Sequence, residues 1–510
     1  MANRHSAIPR GLNATRSSLA QGRFGRMFRN VSPASFGATE ADNIANLSAL
    51  ADEMTSSFDA PKDGPDAEES GIPALYTYLG QFIDHDITFD PVSVLTKAQD
   101  PDGLVDFRTP ALDLDNVYGR GPSDQPYMYD GNLKFLLGEP LNGAGVPDAF
   151  DLPRFAGRAL IGDPRNDENS IVSQLQGLFL RFHNRMVDDN PGLGFEALQQ
   201  RVRFHYQYIV LNDFLPRIVS NAVLSDLKTG GRYDRSKLKY FHWKTWPFMP
   251  VEFSVACYRL GHSMIRPGYR LNDDDSMLLS IFPDRDFKNA LTGFQTMAPG
   301  RAIDWGRFID LDVRAYGKED DDTQPANRKR LQFAYRIDTS LVNPLSMLPP
   351  AVASDPPSLV LRNLERGWRL GLPSGQAVAK AMHMAPLKDE EILIGKAVDK
   401  PDPGEEPVPI NKIANGAFAQ NCPLWTYVLA EAAHHRTAVT IPATGAPGPI
   451  STPQLGPVGG RIVAEVILGL LFGDNFSMLS LDPGWAPVPG PDFRLKDLVA
   501  YALGQGKALH

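Results

Sequence analysis

Apolar residues recur at helical spacing through most of the chain. Leu75, Leu79, Phe82 and Ile83 share one face of Leu75 to Phe89, which the spacing predicts as a helix buried on that side. Ile171, Val172, Leu175, Leu178, Phe179, Phe182 and Met186 carry the pattern across Asn169 to Val187. Phe195 to Val219 repeats it until Pro216, which bends or weakens its end. Glu252 to Ile265 predicts a helix closed by Pro267, Ser374 to His383 and Trp425 to Ala433 predict shorter ones, and Ile462 to Phe472 predicts a core helix. Strand patterns are sparse, with Tyr127 to Tyr129 and Ala438 to Ile441 the best short pieces. The expected fold is mainly α.

Between these stretches the pattern breaks down. Residues 1–40 are weakly periodic around one apolar cluster, Gly22 to Phe28, and predict an arm packed on a single large domain over 41–510. Gly64 to Gly71 is an acidic lead-in, and Pro91 to Gly145, rich in Asp, Gly and Pro, predicts mostly loop. Gly317 to Arg330 predicts a solvated excursion, Val398 to Pro409 and Thr444 to Gly460 predict connectors, and the helices after Gly460 must pack back on the body. No internal repeat is present.

Composition narrows the functions. A chain of 510 residues with 43% hydrophobic content can bury a substantial core, and a formal charge of −9 argues against nucleic acid as the main partner. No stretch is long and apolar enough to predict a membrane span. The basic N-terminus has no apolar run behind it, so cytoplasm is the default location, with export by a route that reads no N-terminal signal left open. Cys257 and Cys422 are the only cysteines, which rules out a disulfide framework and a cysteine-held zinc or iron–sulfur site, though a single bridge stays open.

Chemistry concentrates in five segments. On the first predicted helix Gln81, Asp84 and His85 share a face while Asp86 points about 100° from His85, and such groups on a buried helix require partners. Thr109, Ala111, Asp113 and Asp115 alternate along a loop and offer the hard oxygens that suit calcium, with Asp86 as a further carboxylate; taken alone, an ordinary Asp-rich turn explains them better, because the EF-hand pattern with its central Gly and final Glu is absent. Arg165 and Glu168 precede the helix at Asn169 and can face one ligand. His262 follows Gly261, which permits close approach of a flat or bulky group. Asn363 can accept a hydrogen bond from an imidazole.

In order and residue type the five segments resemble the animal-type heme peroxidases of the peroxidase-cyclooxygenase superfamily, with the look of a bacterial member, over about residues 70–385. The resemblance implies a heme b and a calcium ion. By it His85 is the distal base, Gln81 its halide- or water-binding neighbour and Arg165 the distal cation. Asp84 and Glu168 form esters to the heme, and His262 ligates the iron with Asn363 behind it. Asp86, the Thr109 hydroxyl, the Ala111 carbonyl, Asp113 and Asp115 hold calcium; Asp115 stands where the family commonly has a serine. The implied activity is reduction of hydrogen peroxide and oxidation of small organic donors or halides through a compound I intermediate, as in a response to oxidative stress.

Departures bear on the alternatives. Asn169 stands where one relative bonds a methionine to the heme, so no sulfonium link is expected. Fatty-acid dioxygenases of the superfamily place a radical-forming tyrosine three residues before the proximal histidine, where this chain has Arg259. Tyr258 is off by one, which on a helix turns it about 100° away and argues against dioxygenase chemistry. Tyr240-Phe241-His242-Trp243 is a weaker proximal candidate than Gly261-His262 with Arg266-Pro267. A heme-dependent fatty-acid dioxygenase and a non-catalytic heme- or calcium-binding interaction module are the competing readings.

Overall fold

The computed structural model describes residues 24–57, 60–88, 110–143, 145–283, 289–318, 325–350, 353, 355–401, 403–488, 490–506 and 509. Residues 1–23, Phe89 and Asp90, 91–109 of the predicted loop, and 319–324 of the predicted excursion lie outside them.

The fold is a single mainly α domain around one continuous hydrophobic core. Helix α1 (Glu40–Glu53) starts at a capping box in which Thr39 and Asp42 bond each other's backbone N–H. Helix α2 (Leu75–Ile87) is the central rod, and Phe82 on it stacks at 4.5 Å on Phe179 of α3 (Ser170–Asp189). Asn169 caps α3, its side chain accepting from Ile171 and Val172 N–H, so the predicted start is right to one residue. Helix α4 (Phe195–Ile209) runs on through a wide π turn, Val210–Phe214, into Leu215–Ile218. That turn takes up the distortion Pro216 imposes without ending the rod. Helices α5 (Leu359–Arg369), α6 (Gly375–Ala381), α7 (Leu424–Ala432), α8 (Gly459–Gly473) and α9 (Leu495–Ala502) complete the body. Among the described residues every sheet is a two-stranded ribbon.

Several expectations shift. Tyr127 to Tyr129 is a 3₁₀ turn, Pro126–Met128, leading into a strand at Tyr129–Asp130, while Arg436–Val439 pairs with Ile450–Pro453 close to the predicted position. The acidic lead-in runs into a buried strand. Glu69 is buried at the start of the strand Glu69–Pro73, where Arg330 grips it through two bonds of 2.6 Å and Arg266 adds a second guanidinium. Cys257 and Cys422 are buried free thiols, which closes the possibility of a bridge.

Glu252 to Ile265 departs most. In place of an α-helix it forms a π turn, Glu252–Ala256, a break at Ala256 (φ −126, ψ −75) and a tight 3₁₀ run, Cys257–His262. Arg259 Nε donates to the Ser254 carbonyl at 2.9 Å and so satisfies a group at this break. The segment packs between α5, α7 and α8 and faces α2 across a cavity.

Candidate functional site

Helix α2 forms one wall of that cavity. Its first N–H, on Leu75, donates to the Phe308 carbonyl at 2.9 Å, and its C-terminal carbonyls on His85 and Thr88 accept from Arg165 Nη2 at 3.1 and 2.5 Å. A guanidinium at a helix C-terminus is electrostatically favoured. Asp163 holds the same guanidinium at 2.8 Å. Gln81, Asp84, His85, Arg165 and Glu168 all line the cavity, and Gln81 Nε2 donates to Glu168 Oε1. Asp84 accepts from the Thr88 hydroxyl at 3.2 Å.

His85 is held in one orientation. Its Nδ1 lies 2.7 Å from Asn166 Oδ1, and Asn166 Nδ2 donates to Gln176 Oε1 at 2.8 Å. An amide oxygen can only accept, so Nδ1 carries the proton and Nε2 presents a lone pair. Burial, with Arg165 beside it, lowers the His85 pKa to about 4, which keeps the ring neutral at pH 7. Burial pushes Glu168 the other way, up to about 7.

The opposite wall carries His262, whose pKa burial and Arg259 lower to about 3. Its Nδ1 lies 2.8 Å from the Asn363 amide on α5, which leaves Nε2 for the cavity. A Cβ added at Gly261 would meet nothing within 4 Å, so open space adjoins this residue. Arg259 and Arg366 line the same cavity, whose volume is about 360 Å³.

Asp86 turns away from this space, as its position predicts. One oxygen from each of Asp86, Asp113 and Asp115 lies within 4.8 Å of the others, and among the described residues the buried Asp86 carboxylate meets no cation, only the Leu114 N–H and the Tyr206 hydroxyl as donors. Burial and the two neighbouring carboxylates hold the Asp86 carboxyl well above its usual pKa. Ala111 is buried nearby in the chain, and Thr109 lies outside the described residues.

The sequence matches the animal haem peroxidase family over residues 93–306, a span that includes Arg165, Glu168 and His262. Peroxidase A from Dictyostelium discoideum superposes with a TM-score of 0.60 at 14% identity, covering 99% of this chain and 97% of that one. Residues 93–306 carry the match to the animal haem peroxidase family, and the shared fold extends the likeness over the whole chain. An Oryza sativa fatty acid alpha-dioxygenase solved with palmitic acid shares the fold at a TM-score of 0.55 and 16% identity, covering 93% of this chain and 80% of that one. Drosophila melanogaster Dual oxidase is 27% identical over 142 residues, which is 26% of this chain and 8% of that relative.

The match to this family implies a heme, and the cavity fits one. Two neutral imidazoles each present Nε2 to a single buried space, and two arginines that can meet the carboxylates of a heme line it. Iron ligation by His262 needs the proton on Nδ1, hence the Asn363 amide oxygen toward the ring. The two amide positions exchange by a half-turn about one bond. His242 is not part of this space; it is exposed and bonded to the Lys239 carbonyl at 2.9 Å. His183 is buried behind the site between the Tyr118 hydroxyl and the Leu133 carbonyl.

One expectation about the cavity fails. Tyr258 does not point elsewhere: it lines the cavity, its hydroxyl 3.3 Å from the Gly80 carbonyl. A wheel of 100° per residue holds only for a regular α-helix, and this segment tightens to 3₁₀ after a break. Three functional candidates go beyond those singled out in the sequence, and two of them have no marker there. Asn166 differs in nothing visible from the polar residues around it, and Arg259 looked only like the absence of a tyrosine. Arg366 was readable, because it stands three residues after Asn363 and shares its helical face.

Proposed function

We propose that the chain is a heme peroxidase that reduces hydrogen peroxide and oxidises small organic donors or halides. One observation carries the reading. A neutral His85, fixed by Asn166 with its Nε2 lone pair free, faces the same cavity as the His262 Nε2.

A heme b held at this site would supply the oxidising chemistry of peroxide reduction. His262 holds it from one side through Nε2, with Asn363 fixing the ring as a neutral acceptor. From the α2 wall His85 Nε2 would accept a proton from one peroxide oxygen and return it to the other, a transfer that typically contributes about 10²–10⁴-fold. Arg165 places its positive charge beside His85 and, through the His85 and Thr88 carbonyls, keeps the end of α2 in register. Gln81 holds a water or halide. Arg259 and Arg366 bind the carboxylates of the heme edge. Asp84 and Glu168 are the sites of ester links, and at Glu168 a neutral ester would replace a carboxylate that burial already disfavours. Asp86, Asp113 and Asp115 bind calcium together with the Ala111 carbonyl and Thr109, and the clustering of three carboxylates around the buried Asp86 supports that assignment.

A fatty-acid dioxygenase remains the second reading, because Tyr258 reaches the cavity. Heme-loaded protein given guaiacol or bromide with peroxide, and separately a fatty acid with dissolved oxygen, separates the two. Peroxide-dependent oxidation without oxygen uptake supports the peroxidase. Fatty-acid-dependent oxygen uptake selects the dioxygenase, and neither activity with calcium still bound selects an interaction module.

A further inference from the structure

Four aromatic side chains form a continuous line between two separate spaces. Tyr78 lines the candidate heme cavity, and its ring centroid lies 5.5 Å from that of Tyr269. Tyr269 stacks on Phe308 at 6.0 Å, and Phe308 meets Trp305 at 6.4 Å. Trp305 in turn lines a surface groove of about 300 Å³, together with Arg181, Arg314, Asp304, Asp148 and Leu503. Tyr78, Tyr269, Phe308 and Trp305 are all buried, so the line is screened from water until the indole meets the groove.

The geometry points to a second oxidation site: we propose that the Trp305 groove takes aromatic donors too bulky for the heme cavity and passes single electrons inward through Tyr269 and Tyr78. The proposal rests on the peroxidase reading, because hydrogen peroxide acting at the heme is the oxidant.

The groove suits such a donor. Asp304 and Asp312 already hold Arg314, and the Arg181 guanidinium lies 5.6 Å from the Phe150 ring, so the cations have partners and the indole is the redox-active group in the wall. Packing alone would be served by phenylalanine at every position. Here two members are tyrosines and one is tryptophan, the side chains that give up an electron most readily. Phe308, which is far harder to oxidise, acts as a bridge. The Tyr269 hydroxyl accepts from the Arg266 N–H at 3.0 Å, which fixes its ring between its neighbours.

The balance closes without another reagent. One hydrogen peroxide takes two electrons and two protons to give two waters. Two phenolic donors in the groove each lose one electron and one hydroxyl proton to become phenoxyl radicals. Each tyrosine of the line releases its proton as it is oxidised and recovers one as it is refilled, so the protein is unchanged after each transfer.

The test compares free guaiacol with tyramine coupled to dextran, the same chemistry on a carrier that cannot enter the cavity, using heme-loaded wild type, Trp305→Phe and Tyr269→Phe. Neither substituted residue lines the heme cavity. Expected results are guaiacol turnover within about twofold of wild type in both variants, and turnover of the tethered phenol lowered about tenfold or more. A readout independent of turnover is radical trapping: peroxide with 2-methyl-2-nitrosopropane and no donor should label the Trp305 peptide in wild type and not in Tyr269→Phe. Tethered tyramine oxidised equally by all three proteins, or left untouched by a wild type that oxidises guaiacol, overturns the relay and leaves the peroxidase reading intact. Failure of wild type with guaiacol itself overturns both. Should Trp305→Phe fold poorly, Tyr269→Phe, which keeps the ring, and the trapping result decide.

Discussion

Replacing Asn166 tests how His85, the proposed base, is held. Its carboxamide is fully buried, accepts from His85 Nδ1 at 2.7 Å and donates to Gln176 Oε1 at 2.8 Å. Asn166→Ala strands both of those groups. A buried polar group left unmade costs about 1–3 kcal/mol, so the two together cost about 2–6 kcal/mol, and a water entering the vacated space brings the loss toward the lower figure. Gln176 can absorb little of this, since its Nε2 already lacks a partner. The kinetic effect is separate. Without an acceptor at Nδ1 the proton is shared between the ring nitrogens, which costs about twofold, and a ring free to turn costs more. The sum should stay below the about 10²–10⁴-fold expected for deleting a general base outright.

The assay is the second-order rate of peroxide reaction of heme-loaded protein, followed by stopped-flow absorbance across pH. Burial and Arg165 lower His85 to about 4, so the base form is fully present at neutral pH and the rate should fall only as pH drops through about 4. The bond to Asn166 opposes that lowering, so Asn166→Ala should shift the acid limb further down. Asn166→Asp puts an anion against Nδ1 and should move the limb upward, because a nearby negative charge favours the imidazolium. Wild-type rates for Asn166→Ala, with an acid limb that Asn166→Asp leaves in place, would refute the view that this side chain sets the state of the base.

Other predictions follow from the same geometry. A calcium ion at Asp86, Asp113 and Asp115 present at 100 times its Kd contributes about 2.7 kcal/mol, so a chelator should lower Tm by several degrees in wild type and not in Asp86→Asn. Because burial and neighbouring carboxylates raise the Asp86 pKa, protons compete for the site and the chelator effect should shrink as pH falls. Asn363→Asp makes the imidazole of His262 more anionic and should lower the heme reduction potential by about 59 mV or more, a tenfold change for one electron, in a spectroelectrochemical titration. After turnover with peroxide, acid–ketone extraction should leave heme on the protein, and extraction should become complete only when Asp84 and Glu168 are both replaced.

Long helices were readable because a buried face enforces its period. The repeats over Asn169 to Val187 and Phe195 to Val219 admit little else, and the structure has helices there. Helix α1 was missed although Thr39 and Asp42 spell its capping box, because its apolar positions Leu47, Leu50 and Ala51 make too short a stripe. Glu252 to Ile265 shows the limit of periodicity: π, α and 3₁₀ turns bury similar residues, while the direction of each side chain changes. That is why His262 was identifiable as a candidate and the aim of Tyr258 was not. Asn166 was invisible for another reason. Its neighbours Arg165, Asp167 and Glu168 are equally polar, and only the fold shows that Asp167 is spent on Arg154 while Asn166 meets the histidine.

Helix α2 joins these parts into one device. His85 and Asp86 are adjacent in the chain, yet one faces the cavity and the other a cluster of carboxylates, so any ion gathered at Asp86 acts on the backbone that carries His85. Arg165 grips the same backbone from outside through the His85 and Thr88 carbonyls, and the next residue, Asn166, sets the His85 ring. Three constraints, two of them from adjacent residues and one from the carboxylate cluster, therefore converge on one side chain. A proton carrier in a peroxide reaction must reach both oxygens in turn, and a misplacement of about 1 Å can cost about 10²-fold. Loss of calcium should for that reason lower the peroxide rate of folded protein at a temperature well below its melting point. An Asp86→Asn protein that melts early yet reacts at the wild-type rate would show that the ion serves the fold alone.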